Sequence, residues 1–266
     1  MPVTIVTGGT FGLGKDIALG LAQRGHRVTA FGLSEEQVSS TARGFDDLVA
    51  EVRARGLSDQ IEVLEADVSD AKAVEYVVDR TLARFGRIDG LVNNAAIGPL
   101  GTVLDTDQVL FDKIFAVNVR GTYLASREVI PHMIAQGGGS IVNIGSGAGY
   151  GKPNMAAYAS SKGAILALSA AMAYDHFHAH IRVNVAIPGG GGIVSGMSVG
   201  RVGGDEEKFK SRRAVGTVAG RPANGVDLAN AVAFLLSDEA NVISGTVIDV
   251  GCFAHQGGPM LSRQGL

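Results

Sequence analysis

The sequence predicts an α/β protein built on one doubly wound parallel sheet, and three features predict it. Short β-branched apolar runs alternate along the chain with longer stretches of helical period. The first such run, Val3-Thr-Ile-Val-Thr7, passes directly into Gly8-Gly9-Thr10-Phe11-Gly12-Leu13-Gly14 and then into a helical pattern. Glycine, at 38 of 266 residues, is about twice its usual share and gathers between strands and helices, where backbones approach one another closely.

Taken in order, the first strand and its glycine turn aim free backbone N–H groups, and the dipole of a helix over 15–24, at whatever lies beyond the strand. The spacing, Gly-x-x-x-Gly-x-Gly from Gly8, departs from Gly-x-Gly-x-x-Gly, and packing alone can also require such a turn. The second strand, from Arg27 to Gly32, ends in Phe31-Gly32-Leu33-Ser34-Glu35. In this kind of sheet that end faces an adenosine ribose. It carries neither a carboxylate for the ribose hydroxyls nor an arginine for a 2′-phosphate.

A polar helix over 36–55 leads to a strand over 61–66 and to Asp67-Val68; a helix over 71–85 then feeds a strand over 88–93. Asn93-Asn94-Ala95-Ala96 ends that fourth strand at the expected ligand edge, although an Asn pair also serves turns. Helices over 107–119 and 121–135 follow, with Asn118 near their junction. The runs Ser140-Ile-Val-Asn-Ile and Ile181-Arg-Val-Asn-Val-Ala-Ile187 read as fully buried strands five and six. Ser146 lies just past the former, where open α/β sheets place their sites. Pro188-Gly189 opens a long glycine-rich stretch to about residue 220, read as a lid carrying Arg201, Lys208, Lys210, Arg212 and Arg213. A helix over 226–236 and a strand over 246–250 complete the sheet, leaving a tail over 251–266. No linker or repeat divides residues 1–266, so one domain is expected.

Tyr158 and Lys162 stand four apart in a helical run over 156–174, which puts phenol and ammonium on one face. A nearby cation favours the phenolate and brings a group of pKa about 10 toward working range. A tyrosine so tuned exchanges a proton with an alcohol or carbonyl oxygen. The same spacing also arises by accident in amphipathic helices.

Net charge of −3 and a pI near 6.1 supply no electrostatic footprint for nucleic acid or an anionic membrane, so the expected partner is a small molecule. Cys252 is the one cysteine, no basic segment with an apolar signal core opens the chain, and no apolar run reaches the roughly 20 residues of a membrane span. A cytoplasmic protein is expected. His176, His178 and His180 sit at a helix C-terminus, where the dipole favours cationic histidines without a metal, and no metal is expected.

With these residues placed, the chain resembles the short-chain dehydrogenase/reductase family over nearly its whole length, and hence a Rossmann-type sheet of about seven strands in the order 3-2-1-4-5-6-7. Thr7-Gly8-x-x-x-Gly12-Leu13-Gly14 is similar to its cofactor turn, Asp67-Val68 to its adenine contact, Asn93-Asn94-Ala95 to the segment beside the ribose, and Pro188-Gly189 to the turn flanking the nicotinamide. Asn118, Ser146, Tyr158 and Lys162 fall at its catalytic tetrad. The resemblance implies Tyr158 as acid/base, Lys162 lowering its pKa and bonding the nicotinamide ribose, Ser146 on the substrate oxygen, and Asn118 holding a relay water. It implies NAD or NADP as cofactor, a secondary alcohol or its carbonyl as substrate, and a homodimer or homotetramer.

Four positions depart from the family's pattern. Ala96 replaces a glycine, and the Ser146–Tyr158 gap is one residue short. Ile193 stands where a threonine often contacts the carboxamide, with Ser195 as an alternative. Val250-Gly251-Cys252-Phe253 replaces Val-Asp-Gly-Gly. With Gly32 and Leu33 at the positions that discriminate cofactors, NAD is favoured; Ser34 could bond a 2′-phosphate, but Glu35 and Glu36 would repel it. The lid's basic residues suit an anionic or heavily hydroxylated substrate, or else form a solvated face or subunit contact. Two further readings stay open: reduction of a 3-oxoacyl thioester on an acyl carrier protein, and a dinucleotide-binding sensor without turnover.

Overall fold

A computed structural model describes residues 1–34, 44–189, 193, 195–211 and 217–253. The strands are β1 (Val3–Thr7), β2 (Arg27–Gly32), β3 (Ile61–Glu65), β4 (Gly90–Asn93), β5 (Gly139–Ile144), β6 (Ile181–Ile187) and β7 (Val247–Asp249). All pairings are parallel, in the order β3-β2-β1-β4-β5-β6-β7. This is the expected Rossmann-type order. Its direction reverses between β1 and β4, where Thr7 lies opposite Asn93, so the turns after these strands open onto one crevice.

The sheet is covered on both faces, which is why its central strands are apolar without alternation. Val6, Val28 and Val142 pack under α1 (Gly12–Gln23) and α9 (Gly225–Leu236) through Ile17, Leu21, Leu228 and Val232. On the other face Ile5, Leu91 and Ile141 meet Val77 of α3 (Ala71–Phe85) and Val129 and Met133 of α5 (Gly121–Gln136). Each such side chain, fully buried, contributes about 1.5–3 kcal/mol.

Local chemistry sets several boundaries. Asp70 caps α3 by accepting from the Lys72 N–H, and Gly86 ends it at φ 81°. Asp67 instead accepts from the N–H and Oγ of Ser69, so it closes a turn and leaves the cap to Asp70. Of the long polar helix expected over 36–55, the described part is α2 (Phe45–Ala54); residues 35–43, with Glu35 and Glu36, lie outside the described residues.

The two helices expected around Asn118 are joined. Helix α4 (Gln108–Phe115) runs through a π-helical turn, Ala116–Arg120, into α5 without a break. The stretch expected to be irregular contains α7 (Gly196–Gly200), opened by a Ser195/Ser198 capping box, and α8 (Glu206–Ser211). Lys210 pairs with Glu206 and Glu207 on an exposed face of α8, while Arg212 and Arg213 lie outside the described residues. After β7, Cys252 and Phe253 take left-handed φ of 49° and 72°, a region glycine enters freely and these residues do not. The tail beyond 253 lies outside the described residues.

Candidate active site

The crevice is walled by the ends of β1 and β4. Gly8 and Gly12 turn the chain with φ of 59° and 53°. Gly14 tolerates no side chain, since a Cβ there would lie 2.0 Å from the Gly8 carbonyl oxygen. Helix α1, containing Leu13 and Gly14, has no side-chain cap and no acid in its first turn, so its leading amides have no partner within the helix. Across from it, Thr7 Oγ1 accepts from the Asn94 and Ala95 N–H groups, each at 3.0 Å. Asn94 Nδ2 donates to the Thr7 and Gly8 carbonyls at 3.2 and 3.0 Å. The Asn94 carboxamide thus holds the glycine turn in place, and Ala96 fits half-buried beside it.

Gly32 is buried at the end of β2, where a Cβ would meet Thr10 Oγ1 at 2.5 Å; Leu33 and Ser34 are half-buried. Val68 is buried after β3, and an added Cβ on Gly121 would reach its Cγ1 at 2.9 Å. Pro188 and Gly189 follow β6 at the same sheet edge, and Ile193 is buried beyond them. Ser195 is committed to capping α7 through Ser198, so its hydroxyl already has local partners.

Tyr158 lies near the start of α6 (Ala156–Asp175), with Ser146 close enough to its phenol to pull the phenol pKa down. The shortened gap between these residues therefore leaves them side by side. Two glycines make this possible. The 3-10 turn Gly147–Tyr150 lies flat on α6, where a Cβ at Gly149 would meet the Lys162 carbonyl at 3.0 Å and one at Gly163 would meet the Gly149 oxygen at 3.1 Å. From the other side, Ala156 N–H donates to the Gly101 carbonyl at 3.0 Å, tying the segment after β4 to the start of α6.

Lys162 is buried, donates from Nζ to the Ile144 carbonyl at 2.8 Å, and stands 6.0 Å from the Tyr158 ring centroid. Burial lowers its pKa to about 8. Burial raises the Tyr158 pKa, while the Ser146 hydrogen bond and the Arg201 charge pull it down. Among the described residues the cation nearest the phenol ring is thus Arg201, whose Cζ lies 5.3 Å from the centroid. Spacing alone pointed to Lys162; Arg201 is the C-cap of α7 and carries no motif.

Asn118 sits in the π turn, 1% exposed. Its Oδ1 accepts from the Ile97 N–H at 2.8 Å, and its Nδ2 donates to the Ile97 carbonyl and Ser161 Oγ, each at 2.9 Å. The carboxamide therefore joins the segment after β4 to α6 one turn from Tyr158. The histidines do not form a helical face: His176 is the C-cap of α6, and His180 has φ 59° after a 3-10 turn. Among the described residues no group of three His, Cys, Asp or Glu could hold a metal, and no helix is long and apolar enough to cross a membrane.

A doubly wound sheet with a glycine turn at its switch point and a Ser–Tyr–Lys group on the next ligand edge has the construction of a dinucleotide-dependent oxidoreductase. The family model for short chain dehydrogenases matches residues 2–199. A 2-(R)-hydroxypropyl-CoM dehydrogenase of Xanthobacter autotrophicus is 36% identical over 250 residues, covering 92% of this chain and 95% of that protein. Cyclopentanol dehydrogenase of a Comamonas species is 36% identical over 257 residues, covering 95% of this chain and 97% of its own. Among solved structures, levodione reductase superposes with a TM-score of 0.82 at 30% identity over 97% of this chain and 98% of that one. The chain belongs to the short-chain dehydrogenase family, an enzyme family whose members use nicotinamide cofactors.

Proposed function

We propose that the protein is an NAD(P)-dependent oxidoreductase interconverting a secondary alcohol and its carbonyl compound, with Tyr158 as the acid/base. The observation that carries this is the buried Tyr158 beside Ser146, one helical turn from the buried Lys162. The names of its relatives, which act on alcohols or ketones, support the same class of substrate.

The residues fit a dinucleotide. The amides at the start of α1 are free for a diphosphate, and the glycine cradle would be filled by any Cβ at Gly8, which would meet Ala95 Cα at 2.8 Å, or at Gly14. Thr7, Gly8, Gly12, Leu13, Gly14, Asn94 and Ala95 would hold its phosphates and adjoining ribose. Gly32, Ser34, Asp67 and Val68 would line the adenosine end, and Pro188, Gly189 and Ile193 the nicotinamide end. The nicotinamide, when bound, supplies the hydride chemistry. NAD is the proposed partner, because Gly32, Leu33 and Ser34 place no cation beside a 2′-phosphate.

The protein's own part is proton transfer and positioning. Ser146 donates to the substrate oxygen and fixes it against the phenol. Tyr158 gives a proton to that oxygen during reduction and takes it during oxidation. Lys162 serves as the neighbouring cation and ribose contact, while Asn118 holds the Ile97 segment against α6. Residues 1–266 are proposed to act as one domain in the cytoplasm, within a homodimer or homotetramer. Ala167, Ala170 and Ala171 are exposed on α6 and Tyr174 is 86% exposed, which suits packing of that helix against a second copy.

The test is nicotinamide absorbance with NAD or NADP against a panel of secondary alcohols, hydroxy acids, sugars and diketones, with Tyr158→Phe alongside. The expected result is turnover that the variant loses by at least about a hundredfold while still binding cofactor. Undiminished turnover in Tyr158→Phe, or cofactor binding with no turnover of any compound by the parent protein, would remove the reading.

A further inference from the structure

Helix α7 brings a cation into the site. Arg201, its C-cap, points back across the crevice, with Nε and Nη2 donating to the Gly98 carbonyl at 3.1 and 2.8 Å. Its guanidinium lies over the Tyr158 ring with Cζ 5.3 Å from the centroid, and Nη2 touches Met197 Sδ at 3.5 Å. Gly98 is the floor of this contact. A Cβ there would lie 2.8 Å from Tyr158 Cδ2, 2.8 Å from Met197 Sδ and 2.9 Å from Arg201 Nη2.

The guanidinium is half-buried, and among the described residues no carboxylate pairs with it and Nη1 has no acceptor. Elsewhere, Arg80, Arg87 and Arg221 each meet an Asp or Glu. A cation partly withdrawn from water, resting on a ring face and one backbone carbonyl, gains most from an anion brought to its free edge. The planar fork suits an oxyanion, whether carboxylate, sulfonate or phosphate.

We infer that Arg201 is a specificity-determining residue that selects secondary alcohols or ketones bearing an oxyanion a few bonds from the reacting carbon. One substrate oxygen meets the Tyr158 phenol and the anionic group meets Arg201, so the substrate bridges the two. This rests on the proposed dehydrogenase reading and adds the class of substrate. The alternative is that Arg201 only braces α7 against the Gly98 segment.

The experiment measures kcat and KM of the full-length protein with excess NAD or NADP on matched pairs. These are β-hydroxybutyrate against its amide and methyl ester, a hydroxyalkyl sulfonate against its methyl sulfone, and a hydroxyalkyl phosphate against the diol. The expected result is a kcat/KM at least about tenfold higher for the anionic member of one pair, carried mainly by KM. Arg201→Leu removes that ratio and Arg201→Lys restores it in part. The pair that responds identifies the anion. Equal kcat/KM within every pair, or a preference that survives in Arg201→Leu, overturns this inference while leaving the dehydrogenase reading intact. No turnover of any member, neutral or charged, overturns the dehydrogenase reading itself. Because the ratio is first read in the parent protein, the inference can fail even if the variants do not fold.

Discussion

Lys162 Nζ donates to the Ile144 carbonyl oxygen at 2.8 Å, so the buried amine of α6 closes on strand β5 beside the site. The contact fixes the helix that carries Tyr158 to the end of the strand that leads to Ser146. It also puts a charge where water does not reach. Burial lowers the Lys162 pKa from 10.5 to about 8.

That shift fixes the sign of a pH dependence. Between about 8 and 10.5 the unfolded chain binds more protons at this lysine than the folded one, so stability rises with pH through the window. Below it the cost of burying the charge is present in full. Urea unfolding of the cofactor-free protein should show the parent gaining about 2 kcal/mol relative to Lys162→Met between roughly pH 8 and 10. A difference that stays flat or narrows the other way would place the ammonium in contact with water.

Ser146 bears on the phenol in the opposite direction to burial, because its hydrogen bond holds the Tyr158 pKa down. Ser146→Ala should therefore move the rising limb of the pH profile for alcohol oxidation to higher pH. It should also lower kcat by about a hundredfold through loss of the donor to the substrate oxygen. Profiles of kcat against pH for the two proteins decide this; an unmoved limb would separate the two hydroxyls.

The placement of Ser146 depends on Gly149. A methyl group there would meet the backbone carbonyl of Lys162 at 3.0 Å, and backbone yields less readily than a side-chain tip. Gly149→Ala should lift the 3-10 turn from α6, weaken the Ser146–Tyr158 contact and lower kcat at least about tenfold. The cofactor Kd should change less than kcat, since Gly149 packs on the Lys162 and Gly163 backbone rather than on the glycine turn after β1. Loss of cofactor binding with kcat retained would contradict the assignment.

Strands β1 and β6 and helix α3 were legible because each is a continuous local signal: a β-branched run ending in glycine, or a helical period closed by Gly86. Ser146, Tyr158 and Lys162 were legible as spaced motifs. The π turn at Asn118 was not, since Gly121 directly after it makes the period read as two helices. Arg201 was also hidden. Its approach to Tyr158 is a tertiary contact from α7, and in sequence it is one of several basic residues after Gly189. The Ser195-x-x-Ser198 capping box was a local sign that α7 would form, though not of where Arg201 would point.

The end of β2 allows the cofactor preference to be tested without guessing the substrate. An aspartate at position 32 would face the ribose hydroxyls of NAD and repel a 2′-phosphate, but Gly32→Asp alone would drive its Cβ to 2.5 Å from Thr10 Oγ1. The Thr10 Cβ is 3.6 Å away, an ordinary contact, so Thr10→Ala removes the obstruction. The double variant Gly32→Asp/Thr10→Ala should raise the ratio of kcat/KM with NAD to that with NADP by at least about tenfold over Thr10→Ala alone, equivalent to about 1.4 kcal/mol. The single variant Gly32→Asp should lose turnover with both cofactors, because the displaced threonine belongs to the glycine turn. A ratio unchanged in the double variant would mean that the ribose end of the cofactor lies away from the end of β2.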